Sequence, residues 1–384
     1  MIKKDITFIY QDSAEKSMYI PIAEEAEKRG YKVSWSINKL ESCEIGFYCQ
    51  HVNFPQFSRF SVIMLHDVIQ QYSNWPDLWF REPWDKYNIG ILPSQQWANN
   101  WKRCSQWYYA NPKNGMFLVG WPKADVINKL KISSSKEDFC MHHGLNPMRR
   151  TVLYAPAWEN DCKQDEFVNS MLLLDVNILI KQAPWPDTYP EIQKNIREME
   201  TLHKGINNVT ILPPETNIFE AICVSDILVS EESSTMCESL MMGIPAVSVS
   251  DWLIPDVTPS RLPKCDYDFV TKVNKVNLTE CIGKMLNNYT FYKKEAEIFA
   301  SQNFSNIGKT SSMIMDIVDD AISIIPFRHK QLEPNKKELL GIEKIIVHNI
   351  IAFKREIDEN YAARFSFLGN ILSSLRMIKR IIAK

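Results

Sequence analysis

The sequence DILVSEESSTMCESLMMGIPAVSV, residues 226–249, places two glutamates, two serines and a threonine between two apolar runs. Short apolar runs bounded by polar residues are typical of buried strands, and the segment between these two has the apolar spacing of a helix. The stretch therefore predicts strand, loop, helix and strand. Small hydroxylated residues at the start of a helix can cap it, or they can donate hydrogen bonds to a bound phosphate. The residues alone leave both roles open.

The same alternation of strands and helices continues on both sides of this stretch. One series begins at DITFIY, residues 5–10, and a second begins at TVLYAPAW, residues 151–158. Strands that alternate with helices form mostly parallel sheets covered on both faces, so we predict an α/β protein. The predicted boundaries are an N-terminal Rossmann-like lobe at 1–147, a C-terminal Rossmann-like lobe at 148–325 and a helical tail at 326–384.

Composition excludes several classes of protein. The chain has 384 residues, 45% hydrophobic and 23% charged, with a net charge of -2, so nothing global indicates nucleic acid as a partner. No apolar run approaches the ~20 residues that span a bilayer. A strand pattern begins at once with no leader-like segment, and the nine cysteines include no C-x-x-C pair, which favours a cytoplasmic protein with free thiols. No dinucleotide-binding or P-loop glycine motif occurs.

The tail has a different composition from the rest. Residues 361–384 contain five basic residues and no acidic one, with apolar residues at helical spacing. Such a helix can lie on an anionic membrane surface, or it can dock on the body of the protein. We expect the first, which would place the protein on the inner face of the plasma membrane.

Several polar side chains fall at predicted strand ends, where open α/β sheets bind their ligands. His66 follows a buried strand and can act as a base near neutral pH, although a histidine at a strand end is often structural. Lys181 ends another strand and can meet a phosphate, or can be solvated. Glu238 lies one turn beyond Ser234 on the same helix face, where its carboxylate can accept hydrogen bonds from ribose hydroxyls.

Six motifs in this order resemble the CDP-glycerol glycerophosphotransferases of teichoic-acid and capsule synthesis. They are HD at 66–67, GWPKAD at 120–125, YAPAW at 154–158, DVNILIKQAP at 175–184, SDILVSEESSTMCESLMMGIPAVSV at 225–249 and FSNIGKTSS at 304–312. The resemblance covers roughly residues 60–315, and it is most specific in the second lobe.

The resemblance implies a GT-B fold, in which two Rossmann-like lobes face each other across a cleft. The N-terminal lobe would hold the acceptor and the C-terminal lobe the nucleotide-activated donor. His66 matches the histidine that deprotonates the acceptor hydroxyl, and Asp67 would orient it. The implied donor-binding residues are Pro156, Trp158, Lys181, Glu232, Ser233, Ser234, Thr235 and Glu238. No metal and no other cofactor is expected.

The sequence also departs from the family pattern. Asp67 replaces a glycine, Glu159 replaces an arginine, Ala183 replaces a second histidine, and Glu231-Glu232 replaces an aspartate. The lost histidine and arginine bear on how the donor phosphates are held.

We therefore expect a transferase that moves glycerol- or ribitol-phosphate from a CDP-activated donor to a glycan or lipid-linked acceptor. A metal-independent GT-B glycosyltransferase using a UDP- or CMP-sugar is the nearest alternative. A non-catalytic nucleotide- or glycan-binding scaffold and an epimerase of the same fold are the others.

Two further features of the sequence have ordinary structural explanations. Seven tryptophans lie between Trp75 and Trp121, and they can line the acceptor side or form core. Asp266-x-Asp268 resembles a metal-binding pair, but two carboxylates are too few for a hard cation.

Overall fold

Two parallel sheets of six strands each form the framework of this computed structural model. The structure describes residues 2–49, 53–69, 79, 82–133, 135–159, 162–185, 188–265 and 269–335. The strands are β1 Asp5–Ile9, β2 Lys32–Ser36, β3 Cys43–Tyr48, β4 Ser58–Ile63, β5 Ile89–Leu92, β6 Met116–Leu118, β7 Arg150–Tyr154, β8 Val176–Lys181, β9 Val209–Leu212, β10 Ile227–Ser230, β11 Ala246–Val249 and β12 Thr271–Val273.

The helices lie between these strands and after the last one. They are α1 Ser13–Lys28, α2 Gln95–Cys104, α3 Ile127–Ser133, α4 Lys136–His142, α5 Lys163–Met171, α6 Pro190–His203, α7 Ile218–Cys223, α8 Thr235–Met241, α9 Leu278–Asn287, α10 Tyr289–Asn303 and α11 Thr310–Ile322. This alternation confirms the predicted α/β class with two lobes built on parallel sheets.

The C-terminal sheet has the strand order β12-β11-β10-β7-β8-β9. Every residue of β8, β10 and β11 is buried, as expected for parallel strands that are covered on both faces. Strand order reverses between β7 and β10, which pair directly. The crevice beyond the carboxyl ends of strands at such a reversal is where open α/β sheets bind ligands.

The N-terminal sheet has the order β2-β1-β3-β4-β5-β6 and packs its central strands against α1. Asp12 caps α1 by accepting from the Glu15 backbone N–H at 2.9 Å, which fixes where the helix begins. Trp84, Trp97 and Trp101 are almost fully buried in this lobe. These tryptophans are therefore core residues, and Trp75 lies outside the described residues.

Helix α11, near the end of the described chain, is bonded to residues near its beginning. Arg29, just after α1, donates to Asp316 at 2.7 Å and to Asp319 at 2.9 Å. The Tyr31 hydroxyl donates to the other oxygen of Asp319 at 2.5 Å. These bonds tie the last described helix to the N-terminal lobe rather than to the sheet that precedes it in sequence.

Residues Met1–Pro334 form one compact unit that contains both sheets, and of the second unit, Asn335–Lys384, only Asn335 belongs to the described residues. The predicted tail helix at 361–384 and the pair Asp266 and Asp268 therefore lie outside the described residues. The predicted boundary at 147/148 falls between α4 and β7. The three domain boundaries stay a prediction.

Candidate active site

A cavity of about 670 Å³ lies at the β7–β10 reversal, and residues of both lobes line it. The C-terminal lobe contributes the loops that follow β7, β8, β9 and β10. The N-terminal lobe contributes one side of α1 and the segment around Lys123 and Asp125. The predicted residues on its wall are Pro156, Lys181, Ser233, Ser234, Thr235 and Glu238.

The three hydroxylated residues lie where β10 meets α8. Ser233 Oγ accepts from the Thr235 backbone N–H at 3.2 Å, and Thr235 Oγ1 donates to the Ala155 carbonyl at 3.4 Å. Ser234 precedes the first helical residue and makes no side-chain capping bond. Helix α8 has seven residues, so its dipole is small, and we assign the chemistry of this wall to side chains. Ser233 thus shapes the turn, Ser234 lies on the wall without a capping bond, and the phosphate-binding role of these residues stays a prediction.

Glu238 is the most unusual group on the wall. Its side chain is 1% exposed. Its Oε1 accepts from Trp121 Nε1 at 2.9 Å and pairs with Lys123 Nζ at 2.8 Å. Its Oε2 is buried and has no hydrogen-bond partner among the described residues. An unpaired buried carboxylate oxygen is costly, so a hydrogen-bond donor that reached this atom would stabilise it.

Lys181, the last residue of β8, brings a buried ammonium to the same cavity. Its Nζ donates to the carbonyls of Gln182 at 3.1 Å and Pro214 at 2.9 Å. Burial and the nearby charge of Lys123 lower the pKa of Lys181 to about 8, against the opposing effect of Glu238 and Glu215. An anion in the cavity would favour the charged form of this lysine.

The two glutamates that precede the serines point away from the cavity. Buried Glu231 accepts from the Trp158 backbone N–H at 2.9 Å and pairs with Lys163 at 3.1 Å, which holds the loop after β7. Glu232 pairs with Arg261 at 2.6 Å and accepts from the Lys264 backbone N–H at 2.8 Å. Glu232 does not line the cavity, and its donor-binding role stays a prediction without a contact that supports it.

Trp158 also lies off the cavity wall, in a group of exposed and half-buried rings. Its ring centroid is 4.5 Å from that of Trp185 and 5.8 Å from that of Tyr189. Pro156, two residues earlier, is buried and lines the wall. The loop after β7 therefore places Pro156 on the cavity wall and Trp158 beside these rings.

His66 lies in the N-terminal lobe, three residues beyond β4 and next to the first turn of α1. Its Nδ1 is 3.1 Å from the Cys49 carbonyl and 3.9 Å from Glu15 Oε1, and its Nε2 is 3.6 Å from Asp67 Oδ1. Burial by itself lowers the pKa of His66, but the carboxylates of Asp67 and Glu15 outweigh it, and the pKa is raised. The side chain is 34% exposed and therefore accessible to a substrate.

His66 and Asp67 are not on the wall of the cavity, which instead includes Ser13, Ala14 and Ser17 from the same turn of α1 that carries Glu15. The structure thus groups the donor-side predictions around one cavity and places the histidine and its carboxylates at the other side of α1. Their joint action is a prediction.

Sequence reasoning missed the role of the GWPKAD segment as a bridge between lobes. Trp121 and Lys123 bind Glu238, as described above. Asp125 accepts from the backbone N–H groups of Thr310 at 2.8 Å and Ser311 at 2.7 Å, so it caps α11. Burial raises the pKa of Asp125 despite these bonds. The motif was visible in the sequence, but its partners lie more than 100 residues away.

Two departures from the family pattern, Glu159 and Ala183, lie in different surroundings. Glu159 is buried and accepts from the Tyr154 hydroxyl at 2.7 Å and from Gln182 Nε2 at 2.7 Å. Burial raises the pKa of Glu159 to about 7, against the effect of these hydrogen bonds. Ala183, where the family has a histidine, lies on the cavity wall.

The described residues contain no candidate metal centre and no candidate membrane span. Within them, no group of three or more His, Cys, Asp or Glu side chains could hold a metal ion. In the same part of the chain, no helix is both long and apolar enough to cross a membrane.

Comparison with known proteins confirms the family resemblance. Residues 66–252 match the model of the family described as CDP-Glycerol:Poly(glycerophosphate) glycerophosphotransferase. The matched family consists of transferases, and the matched segment runs from His66 to Trp252. No protein of curated function matches the chain.

Solved structures confirm the GT-B fold. The wall teichoic acid polymerase TagF superposes with a TM-score of 0.57 at 14% identity, covering 84% of this chain and 89% of that chain. The UDP-GlcNAc 2-epimerase of Neisseria meningitidis, bound to UDP-GlcNAc, gives 0.57 at 13% identity, covering 82% of this chain and all of that one (100%). MnaA of S. aureus, in a co-structure with UDP, gives a TM-score of 0.57 at 10% identity, covering 86% of this chain and 99% of that chain. At these identities the structures establish the fold alone.

Proposed function

We propose that this protein transfers glycerol-phosphate or ribitol-phosphate from a CDP-activated donor to a glycan or lipid-linked acceptor in bacterial cell-surface polymer synthesis. The family match of residues 66–252 supports the reaction class. The observation that carries the assignment to this cavity is Glu238, whose Oε2 is buried without a partner among the described residues on a wall that also holds serines and lysines. A carboxylate that can accept from ribose hydroxyls, serine hydroxyls that can donate to phosphates, and lysine ammonium groups together suit a nucleotide diphosphate.

In this proposal each wall residue has one task. Glu238 Oε2 accepts from a ribose hydroxyl. Ser234 gives a hydrogen bond to the donor phosphates, Thr235 does so on releasing the Ala155 carbonyl, and Lys181 offsets their charge. No step needs a metal ion. Pro156 packs beside the donor.

The transfer step is a displacement at phosphorus. The acceptor hydroxyl oxygen attacks the phosphorus that carries the polyol, and His66 takes the hydroxyl proton. The bond from that phosphorus to the bridging oxygen breaks, and CMP leaves with the bridging oxygen. The product is a new phosphodiester, and the charge that develops at the phosphates meets the hydroxyls and ammonium of the wall. Asp67 and Glu15 stabilise the protonated imidazole.

The test is a thermal-shift panel with CMP, CDP-glycerol, CDP-ribitol, UDP-GlcNAc and CMP-sialic acid, with and without magnesium. A ligand that binds the native state raises the melting temperature by mass action. We expect the CDP-polyols to give the largest shift, and Ser234→Ala to reduce it.

Ser301→Ala is the matched control, because Ser301 is exposed on α10 and its hydroxyl donates only within its own helix, to Ile298. A larger shift with a nucleotide sugar would contradict the CDP-polyol donor and favour a glycosyltransferase. No shift with any nucleotide would contradict both, and a scaffold role would then lead.

The basic tail belongs to this proposal as its membrane contact. Five basic and no acidic residues at 361–384 suit anionic lipid, which would place the protein on the inner face of the plasma membrane beside a lipid-linked acceptor. Sedimentation of the full chain with phosphatidylglycerol vesicles should exceed that with phosphatidylcholine vesicles. Equal sedimentation with the two would contradict the contact.

A further inference from the structure

We propose that Lys123 is a second phosphate-binding lysine, so that the donor diphosphate is held by Lys123 from the N-terminal lobe and Lys181 from the C-terminal lobe. The inference rests on the proposed function, because it assumes a diphosphate in the cavity. It adds a residue to the site and makes donor binding a contact between the lobes.

The first observation is the position of the two ammonium groups. Lys123 and Lys181 both line the cavity that also contains Ser233, Ser234 and Thr235. Each comes from a different lobe, since Lys123 follows β6 and Lys181 ends β8. Hydroxyls and ammonium groups that line one cavity are the donors that a diphosphate needs.

The second observation is that these two cations act on each other. After burial, Lys123 is the largest influence on the pKa of Lys181, ahead of the opposing carboxylates Glu238 and Glu215. Two like charges that influence each other in this way repel, and an anion bound between them would relieve the repulsion. A diphosphate would relieve their repulsion, whereas a neutral ligand would not.

The third observation is that Lys123 has donors to spare. An ammonium group carries three N–H bonds. Among the described residues, the one partner of Lys123 is Glu238 Oε1 at 2.8 Å, and its side chain is 21% exposed. Lys123 can therefore hold the Glu238 carboxylate in position while it donates to a phosphate oxygen.

The bonds of Glu238 connect these contacts. Its Oε1 is held by Trp121 and Lys123 from one lobe, and its Oε2 is buried without a partner among the described residues. A nucleotide that places a ribose hydroxyl on Oε2 would bring its phosphates toward Lys123. Ribose and diphosphate recognition would then share one cross-lobe pair.

The experiment is isothermal titration calorimetry of the full chain with CDP, and with cytidine as a probe that lacks phosphate. Lys123→Met removes the charge and keeps most of the stem, and we expect it to weaken CDP binding by about tenfold, the usual effect of ~1.4 kcal/mol. Cytidine binding should change much less. Lys123→Arg keeps the charge and should retain CDP affinity.

Lys113→Met is the matched control. Lys113 lies in the same lobe and is exposed, and it is not on the cavity wall. We expect it to leave CDP affinity within about twofold. Circular dichroism and the melting temperature establish that each variant is folded.

The outcomes separate the inference from the function on which it rests. If the wild type binds neither CDP nor UDP, the proposed function fails. If the wild type binds CDP and Lys123→Met binds it equally well, the inference fails and the proposed function stands. Equal losses for CDP and cytidine would also overturn the inference, because Lys123 would then act through Glu238 alone.

A second readout is the proton balance of binding. Free Lys181, with a pKa of about 8, is mostly neutral at pH 9, and an anion beside it raises that pKa. CDP binding at pH 9 should therefore take up protons, measured by calorimetry in buffers of different ionisation enthalpy. Lys181→Met should abolish the uptake. Uptake that is unchanged in Lys181→Met would contradict a phosphate at Lys181.

Discussion

Asp67 is the residue that sets His66 apart from its family counterpart, which is followed by glycine. Its carboxylate is 3.6 Å from Nε2 of the imidazole, and together with Glu15 it raises the pKa of His66 against the effect of burial. A base must be neutral to take a proton, so a raised pKa moves the onset of activity to higher pH. If His66 is the base, the substitution changes its pKa and leaves the imidazole in place.

Asp67→Asn is therefore expected to lower the pKa of His66 and move the acidic limb of the kcat/KM profile to lower pH. Glu15 remains, so the shift is partial. Steady-state rates between pH 5 and pH 9 with CDP-glycerol measure the limb. A limb that does not move in Asp67→Asn would mean that His66 is not the group that titrates.

Glu159 is a buried carboxyl whose charge is costly. Because its folded-state pKa of about 7 exceeds its ordinary value of 4.5, its contribution to stability is complete below pH 4.5 and is lost as pH rises to about 7. The difference in pKa corresponds to on the order of 3 kcal/mol above pH 7. Neutral Gln182 and Tyr154 hold the group but do not balance its charge.

Glu159→Gln is expected to raise the melting temperature at pH 8 and to change it little at pH 5. The amide oxygen can take the Oε2 position and keep the bonds from Tyr154 and Gln182. Thermal unfolding of both proteins at the two pH values measures the difference. An equal change at both pH values would contradict the raised pKa.

Among the elements, α11 depends most clearly on a residue of the other lobe. Asp125 accepts from the backbone N–H groups of Thr310 and Ser311, and these are two of the groups that a helix N-terminus leaves unpaired. Arg29 then holds the middle of the same helix through Asp316 and Asp319. The closing helix is thus fixed at its start and along its length by the N-terminal lobe.

Asp125→Ala is expected to lower the free energy of unfolding by roughly 1–2 kcal/mol, the usual effect of losing a helix N-cap. Asp125→Asn keeps one acceptor oxygen and should lose less. Urea unfolding followed by circular dichroism measures both. A loss as large in the asparagine variant as in the alanine variant would mean that the carboxylate acts through its charge rather than as a cap.

The elements themselves were largely predictable from the sequence. The stretch at 226–249 forms β10, α8 and β11 as its apolar pattern indicated, because strand burial and helix spacing are local properties of the chain. The start of α11 at Thr310 is harder to predict, because the residue before it, Lys309, makes no side-chain capping bond. The cap that fixes this start, Asp125, is remote in sequence.

For the whole molecule, the direction of each polar side chain was the part that the sequence could not supply. Glu231 and Glu232 are neighbours, yet one binds Lys163 and the other Arg261, which lie on opposite sides of them in sequence. In the sequence, Lys123 stands out only as part of the GWPKAD motif at 120–125. Its closeness to Lys181 and Glu238 depends on how the two lobes fold together, which no local pattern encodes.

The nucleotide released on turnover tests the proposed reaction most directly. The full chain would be incubated with CDP-glycerol, CDP-ribitol or UDP-GlcNAc and a short poly(glycerophosphate) oligomer, and the nucleotides separated by ion-exchange chromatography. We predict release of CMP, mole for mole with new phosphodiester, and loss of this release in His66→Ala. Release of UDP, isomerised sugar without acceptor, or no nucleotide from any donor would contradict the assignment.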